Sequence, residues 1–269
     1  MPFAETPLRD AYAAAVERVA RRTLDALRGD GGAAALADPD GAVPRPTLAA
    51  LRVLGADLFA PQLLTGAAPD GPTAALLAEA RQAFPAPASV SDSVSDSVSD
   101  SVSDSVSDSA DAALVIAWQD WAAGQVLART PYGTGAPPTV PPVPPVPPPG
   151  PEAVGWQTWS VRMAQLSVLA LPGLDGPVHD TARAHTLALA RGAVRSMLRR
   201  DLPTAARLAR WLAWAGAEGR PLRLEVEPVL ERIRLAGNGS ARTGLELAVA
   251  RRLLDRSSRP PTDRRSRVR

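Results

Sequence analysis

Apolar side chains recur every three or four residues through most of this 269-residue chain, which is the spacing of one face of an α-helix. Near the N-terminus, Leu8, Tyr12, Val16 and Val19 follow this spacing, with arginines and acids between them. The same spacing, interrupted at glycine and proline, predicts helices over residues 5–28, 47–59, 72–84, 111–129, 154–171, 177–200, 202–216, 221–235 and 241–254. We therefore expect an all-α protein, an irregular helical bundle or α-hairpin array of about eight helices.

Individual residues set the expected ends of these helices. Pro61 should stop the helix over residues 47–59, since proline cannot continue a helix from its interior. Leu222, Leu224 and Val226 alternate with polar residues, so a short strand is an alternative start for the segment 221–235.

Residues 191–216 indicate an α-hairpin whose turn contains Asp201 and Pro203. Its two helices could approach closely because small residues recur along both of them: Gly192, Ala193, Ala205 and Ala209.

All six tryptophans of the chain occur in three Trp-x-x-Trp pairs: Trp118/Trp121, Trp156/Trp159 and Trp211/Trp214. Residues three apart share one face of a helix, so each pair should place two rings on the same face. The surrounding segments are apolar, which favours packing in one core. The alternative is an aromatic-lined pocket for an apolar or cationic ligand, with polar groups from His185, Asp120 or Arg162.

Two low-complexity inserts and a basic tail interrupt the helical pattern. Residues 89–109 are five copies of Ser-Val-Ser-Asp with one further Ser, and so polar a segment should be disordered. The Pro-rich insert, residues 131–153, lies after the central helix. It favours polyproline II and should also loop out. We expect an N-terminal helical segment (1–84), a repeat linker (85–110), a central helix (111–130), a Pro-rich linker (131–153), a C-terminal helical segment packing on the central helix (154–255) and a disordered Arg-rich tail (256–269). Whether the N-terminal helices complete the bundle or form a subdomain stays open at this point.

The amino-acid composition excludes some kinds of site. The absence of cysteine excludes disulfides and thiolate sites. All 30 basic residues are arginine, in line with the GC-rich codons of a high-GC bacterial genome.

No secretion signal is visible, and the longest apolar stretch, residues 112–118, is too short to span a bilayer. We therefore expect a cytoplasmic protein without a membrane partner.

Charge is distributed unevenly along the chain. Residues 85–153 carry 1 Arg and 8 acidic residues, a net charge of −7, whereas residues 154–269 carry 21 Arg and 10 acidic residues, a net charge of +11. Such asymmetry indicates attraction within the protein or an anionic partner of the C-terminal part.

The sequence assigns no catalytic, metal-binding or cofactor-binding residue. Its only histidines, His179 and His185, are six positions apart and would point in different directions on one helix. The glycine-rich turn over residues 237–244 lacks the lysine of a phosphate-binding loop, so a capped helix start is the simpler interpretation. Anion contact is the alternative there and in the tail, through Arg242, Arg264, Arg265 and Arg267.

These observations predict a non-enzymatic scaffold or regulatory module that binds a protein partner and needs no cofactor. One alternative is a helical ligand-binding protein or enzyme with a Trp-lined pocket. Another is association with nucleic acid through the C-terminal arginines.

Overall fold

Helices joined by short connections form the described part of the chain. The computed structural model describes residues 5–29, 43–85, 103–130, 143–237 and 239–257. No strand occurs within these residues, and the predicted all-α class is confirmed. The helices are α1 (Glu5–Arg28), α2 (Arg45–Leu54), α3 (Ala60–Thr65), α4 (Gly71–Ala83), α5 (Ser103–Leu127), α6 (Pro151–Val154), α7 (Trp156–Gln165), α8 (Pro177–Ala184), α9 (Thr186–Leu198), α10 (Leu202–Ala217), α11 (Val226–Ala236) and α12 (Ala241–Ser257). Two 3₁₀ segments, Gly55–Phe59 and Ser167–Leu169, lie after α2 and α7.

The predicted ends of several helices need correction. The range 154–171 is not one α-helix: α7 covers Trp156–Gln165, and the 3₁₀ segment Ser167–Leu169 follows it. Pro61 does not stop the second helix, because α2 already ends at Leu54, before Gly55 with its φ of +53°, and Pro61 then occupies the first turn of α3. Proline is tolerated there because a first-turn N–H has no partner within the helix. The range 177–200 is divided at His185, whose backbone leaves the helical region. Residues 221–225 form neither helix nor strand, so the strand alternative was wrong.

The central helix extends into the Ser-Val-Ser-Asp repeat. It begins at Ser103, eight residues before the predicted start, so the expectation of disorder was wrong for residues 103–109. Extending an existing helix costs much less than nucleating one, and aspartates near a helix N-terminus interact favourably with its dipole. The rest of the repeat, residues 89–102, lies outside the described residues.

The end of the Pro-rich insert is attached to the bundle, contrary to the expectation that the insert loops out. The indole Nε1 of Trp118 donates a hydrogen bond to the carbonyl oxygen of Val146 at 3.1 Å, and Pro148 is buried. Helix α6 follows directly. The earlier part of this insert, residues 131–142, and most of the Arg-rich tail, residues 258–269, lie outside the described residues.

Helix α10 occupies the centre of the fold. It packs against α7, α9, α11 and α12, and ten of its sixteen residues are buried. Helix α1 packs against both α2 and α12, so the N-terminal helices complete the same bundle. The two 3₁₀ segments contact each other and α5.

The small residues predicted for the α-hairpin permit close approach of its helices. A Cβ atom added at Gly192 would lie 2.5 Å from Cβ of Ser160 in α7 and 3.1 Å from a methyl group of Leu208 in α10. Ala193, Ala205 and Ala209 are fully buried. Helix α9 therefore lies against both neighbours at a separation that only glycine allows at position 192.

One run, Arg45–Thr65, has the length and mean hydropathy of a membrane-spanning helix, with 21 residues and a mean hydropathy of 1.3. The run joins α2, the first 3₁₀ segment and α3, which follow one another without a gap, and it is therefore longer than the apolar stretch 112–118. Within the fold, 67% of its apolar window is buried, which is the pattern of a core helix in a soluble protein.

Candidate functional site

The tryptophan pairs divide between the core and the surface. Trp118, Trp121, Trp159, Trp211 and Trp214 are buried, and Trp156 is half-buried. The rings of the first pair contact edge to face with centroids 5.2 Å apart, and those of the third pair with centroids 5.5 Å apart. Such geometry is typical of packed aromatic cores. Of the six rings considered as pocket walls, the half-buried Trp156 lines a surface groove.

The third and first pairs surround His179, which lies in the first turn of α8. Its ring is fully buried, with its centroid 5.1 Å from that of Trp214 and 5.6 Å from that of Trp211. Its Nε2 lies 2.9 Å from the carbonyl oxygen of Leu169, which can only accept, so Nε2 carries the proton. Burial lowers the pKa of His179 below its ordinary value, although the hydrogen bond to Leu169 opposes this shift. His179 is therefore a neutral core residue.

His185, the histidine predicted to serve a pocket, lies at the boundary of the fold. It is half-buried at the break between α8 and α9, with its ring centroid 5.8 Å from that of Trp159. Its Nε2 is 3.6 Å from a carboxylate oxygen of Glu152. The two other polar groups suggested for a pocket are used in ion pairs, Asp120 with Arg52 and Arg162 with Asp111.

The polar centre of the fold is a buried ion network around Arg210. The guanidinium is fully buried and donates to Asp57 at 2.7 Å, to Glu246 at 2.9 Å and to the carbonyl oxygen of Ala170 at 3.2 Å. Burial opposes the charge of Arg210, but the two carboxylates outweigh it and raise its pKa. The network connects α10, α12 and the first 3₁₀ segment, with partners up to 153 positions apart in sequence.

The glycine-rich turn before α12 is occupied by an acidic side chain of the protein itself. The carboxylate of Glu17 in α1 accepts hydrogen bonds from the backbone N–H of Ala241 at 2.6 Å and from the hydroxyl of Ser240 at 2.8 Å. This helix start, for which a cap was the simpler interpretation and anion contact the alternative, therefore already holds a carboxylate of the protein itself. Arg242 turns inward, with nitrogens 3.7 Å from Asp57 and 3.8 Å from Glu246. The other proposed anion contacts, Arg264, Arg265 and Arg267, lie outside the described residues.

The outward face of α9 forms a wall of an open groove of about 460 Å³, called the α9 groove below. Leu187, Val194 and Leu198 lie along this face, and 47%, 41% and 82% of their surfaces are exposed. Trp156 and Leu224 also line the groove. Exposed apolar residues that follow one another along a helix face are typical of a surface that receives a partner.

Three arginines surround the apolar part of the α9 groove: Arg191, Arg195 and Arg223. The guanidinium carbon of Arg195 lies 5.7 Å from the centroid of the Trp156 ring, within cation–π range. Among the residues that the structure describes, none of the three forms an ion pair with a carboxylate. The groove therefore combines an apolar floor with positive charge that the described fold does not neutralise.

Comparison with known proteins found no matching family model, no significantly similar curated protein and no significant match among the solved structures.

Proposed function

We propose that this protein is a non-enzymatic adaptor that binds an acidic, amphipathic helix of a partner protein in the α9 groove. The observation that carries the proposal is the combination of exposed Leu187, Val194 and Leu198 with three arginines free of ion pairs in the described residues. A cytoplasmic location suits such an adaptor and forms part of the proposal.

The dimensions of the groove favour a helical partner. Leu187 and Leu198 are eleven positions apart on α9, which corresponds to roughly 16 Å at about 1.5 Å per residue. A partner helix of about three turns would cover this length with leucine or similar side chains at every third or fourth position. Helix-in-groove recognition of this kind derives its affinity from such apolar anchors.

The charge of the groove favours an acidic partner. Arg191 and Arg195 are one helical turn apart on α9, and Arg223 joins them from the segment before α11. Glutamates beside the apolar anchors of a partner would pair with these guanidiniums, and like charges there would be repelled. This fits the expectation of an anionic partner for the C-terminal part of the chain.

The test is fluorescence anisotropy with a labelled amphipathic peptide of about 15 residues, a length that covers three turns with a margin. The peptide carries leucines at helical spacing and glutamates between them, and a scrambled peptide of the same composition is the reference. Leu198→Glu should weaken binding about tenfold or more, because it places a carboxylate among the apolar anchors. Arg191→Glu should weaken binding and reduce its dependence on salt.

Leu8→Glu is the matched control, because Leu8 is also a highly exposed leucine, at 58%, but lies on α1. Equal binding of the designed and scrambled peptides, or equal loss with L8E and L198E, would show that the groove is not the binding surface. Binding of an oligonucleotide that L198E leaves unchanged, together with no binding of the peptide, would instead support association with nucleic acid.

A further inference from the structure

A second cavity lies on a different part of the surface from the α9 groove. It is a cleft of about 360 Å³ between α5 and the helices on either side, called the α5 cleft below. Apolar walls come from Val16 of α1, Val53 of α2 and Val115 and Ile116 of α5. The same cleft is also lined by two arginines, Arg207 of α10 and Arg242 of α12.

The two arginines lie beside the buried ion network without being fully used by it. Arg210 takes the close contacts to Asp57 and Glu246, at 2.7 and 2.9 Å. By contrast, the nearest nitrogens of Arg207 and Arg242 are 3.7 to 3.9 Å from these carboxylates, beyond hydrogen-bond range. Three guanidiniums therefore face two carboxylates, which leaves one positive charge in excess at the polar end of the cleft.

Arg242 has unused donors that are shielded from solvent. Its Nε and Nη1 atoms are buried and have no hydrogen-bond partner among the described residues. An unsatisfied buried donor is costly, and a charged one especially so. No acidic side chain is among the residues that line the cleft in the described part of the chain. An anion entering the cleft would meet the guanidinium groups of Arg207 and Arg242, which line it, without repulsion from an acidic wall residue.

We propose that the α5 cleft binds a small monocarboxylate with an unbranched aliphatic chain, held by Arg207 and Arg242 at one end and by the apolar walls along its length. A planar carboxylate matches the paired donors of a guanidinium, and one negative charge balances the local excess. The cleft has room for on the order of ten non-hydrogen atoms if each takes about 30 Å³, as a water molecule does in the liquid. Octanoate, with eight carbons and two oxygens, is of this size.

Titration calorimetry of the full chain with acetate, butanoate, hexanoate and octanoate tests the proposal. Affinity should increase about fourfold for each added CH₂ until the chain fills the cleft, as expected from the burial of methylene groups. Octylamine and octanol test the need for negative charge, and inorganic phosphate tests the need for an apolar chain. All three should bind at least about tenfold more weakly than octanoate, because each lacks one of the two required features.

Two variants assign the binding to this cleft. Arg207 is about one-third exposed, so Arg207→Gln should fold and should weaken octanoate binding about tenfold or more by removing a charged donor. Ala112→Phe should block the cleft by bulk, because Ala112 is exposed and lines it. Ala113→Phe is the matched control at the next exposed alanine, which does not line the cleft.

The outcomes separate this site from the α9 groove. Loss of octanoate binding in A112F but not in A113F or in L198E would support the α5 cleft. Affinity that does not depend on chain length, equal binding of octylamine, or equal effects of A112F and A113F would overturn the proposal. None of these results bears on peptide binding in the groove.

Discussion

Replacement of Arg210 by methionine tests the energetic importance of the buried ion network. Methionine preserves much of the length of the side chain but removes the charge and all three hydrogen bonds to Asp57, Glu246 and Ala170. The two carboxylates would remain buried, with Arg207 and Arg242 at 3.7 to 3.9 Å and the Ser167 hydroxyl donating to Glu246 at 3.0 Å. Removing one partner of a buried ion pair costs about 3–5 kcal/mol, because the carboxylates lose the close counter-charge and hydrogen bonds that offset their desolvation.

A loss of this size is a large fraction of the stability of a typical domain, which is about 5–15 kcal/mol. We expect R210M to lower the melting temperature by about 6–20 °C for a fold of this size. Urea denaturation at pH 7 followed by circular dichroism gives the free energy of unfolding. Arg234→Met is the matched control, since Arg234 forms an exposed pair with Glu231 at 2.5 Å, and its loss should matter far less.

The pH dependence of R210M provides an independent check. Burial opposes ionisation of Glu246, but Arg210, Arg242 and Arg207 together hold its pKa below the ordinary 4.5. In the wild type, the stability from this depressed pKa is present above about pH 4.5 and is lost as the pH falls through the lowered folded value. In R210M, Glu246 keeps only the more distant Arg207 and Arg242 as counter-charges, so protonating it removes a poorly compensated charge and the gap to the wild type should narrow in acid. A loss at pH 7 no larger than that of R234M would refute the argument.

Two further predictions concern His179 and Gly192. The lowered pKa of His179 means that, below about pH 6.5, the unfolded chain binds a proton that the native state does not, so stability should fall by up to about 1.4 kcal/mol per pH unit as acid is added. Denaturation of His179→Gln between pH 5 and 8 should lack this component, with His185→Gln as the control, and an unchanged slope in H179Q would exclude His179 as its source. Gly192→Ala should lower the melting temperature despite the better helix propensity of alanine, since its Cβ would lie 2.5 Å from that of Ser160. A stabilised G192A would show that α7 and α9 can move apart at no cost.

Local patterns predicted the helices and much of the core. Apolar spacing located α1, α4 and α10 to within one or two residues, because each helix has one face that must be buried. The Trp-x-x-Trp pairs marked the centre for the same reason, and five of the six rings are buried there. Gly192 and its neighbouring small residues predicted a close helix contact, which the position of Ser160 explains. In each case the information lies within one or two helical turns.

Features that depend on distant residues could not be predicted in this way. Nothing near Arg210 distinguishes it from the other arginines, because its partner Asp57 is 153 positions away. The burial of His179 could not be predicted either, because the tryptophan rings around it come from α5 and α10. The sequence around Glu17 does not indicate that its carboxylate binds the start of α12, because Glu17 and Ala241 are 224 positions apart.

The α9 groove shows a further limit of apolar periodicity. The pattern indicates that a helix face is apolar, but it does not indicate which element or partner packs against that face. Helix α9 is apolar on two sides: Leu189 and Ala193 are buried against the bundle, whereas Leu187 and Leu198 lie in the groove. From the sequence, both sides suggest burial in the same core. The structure separates them, because α10 and α7 already occupy the inner side and no described helix covers the outer one. An apolar face that the described helices leave open, surrounded by arginines without carboxylate partners in the described residues, is the feature on which the proposed acidic partner rests.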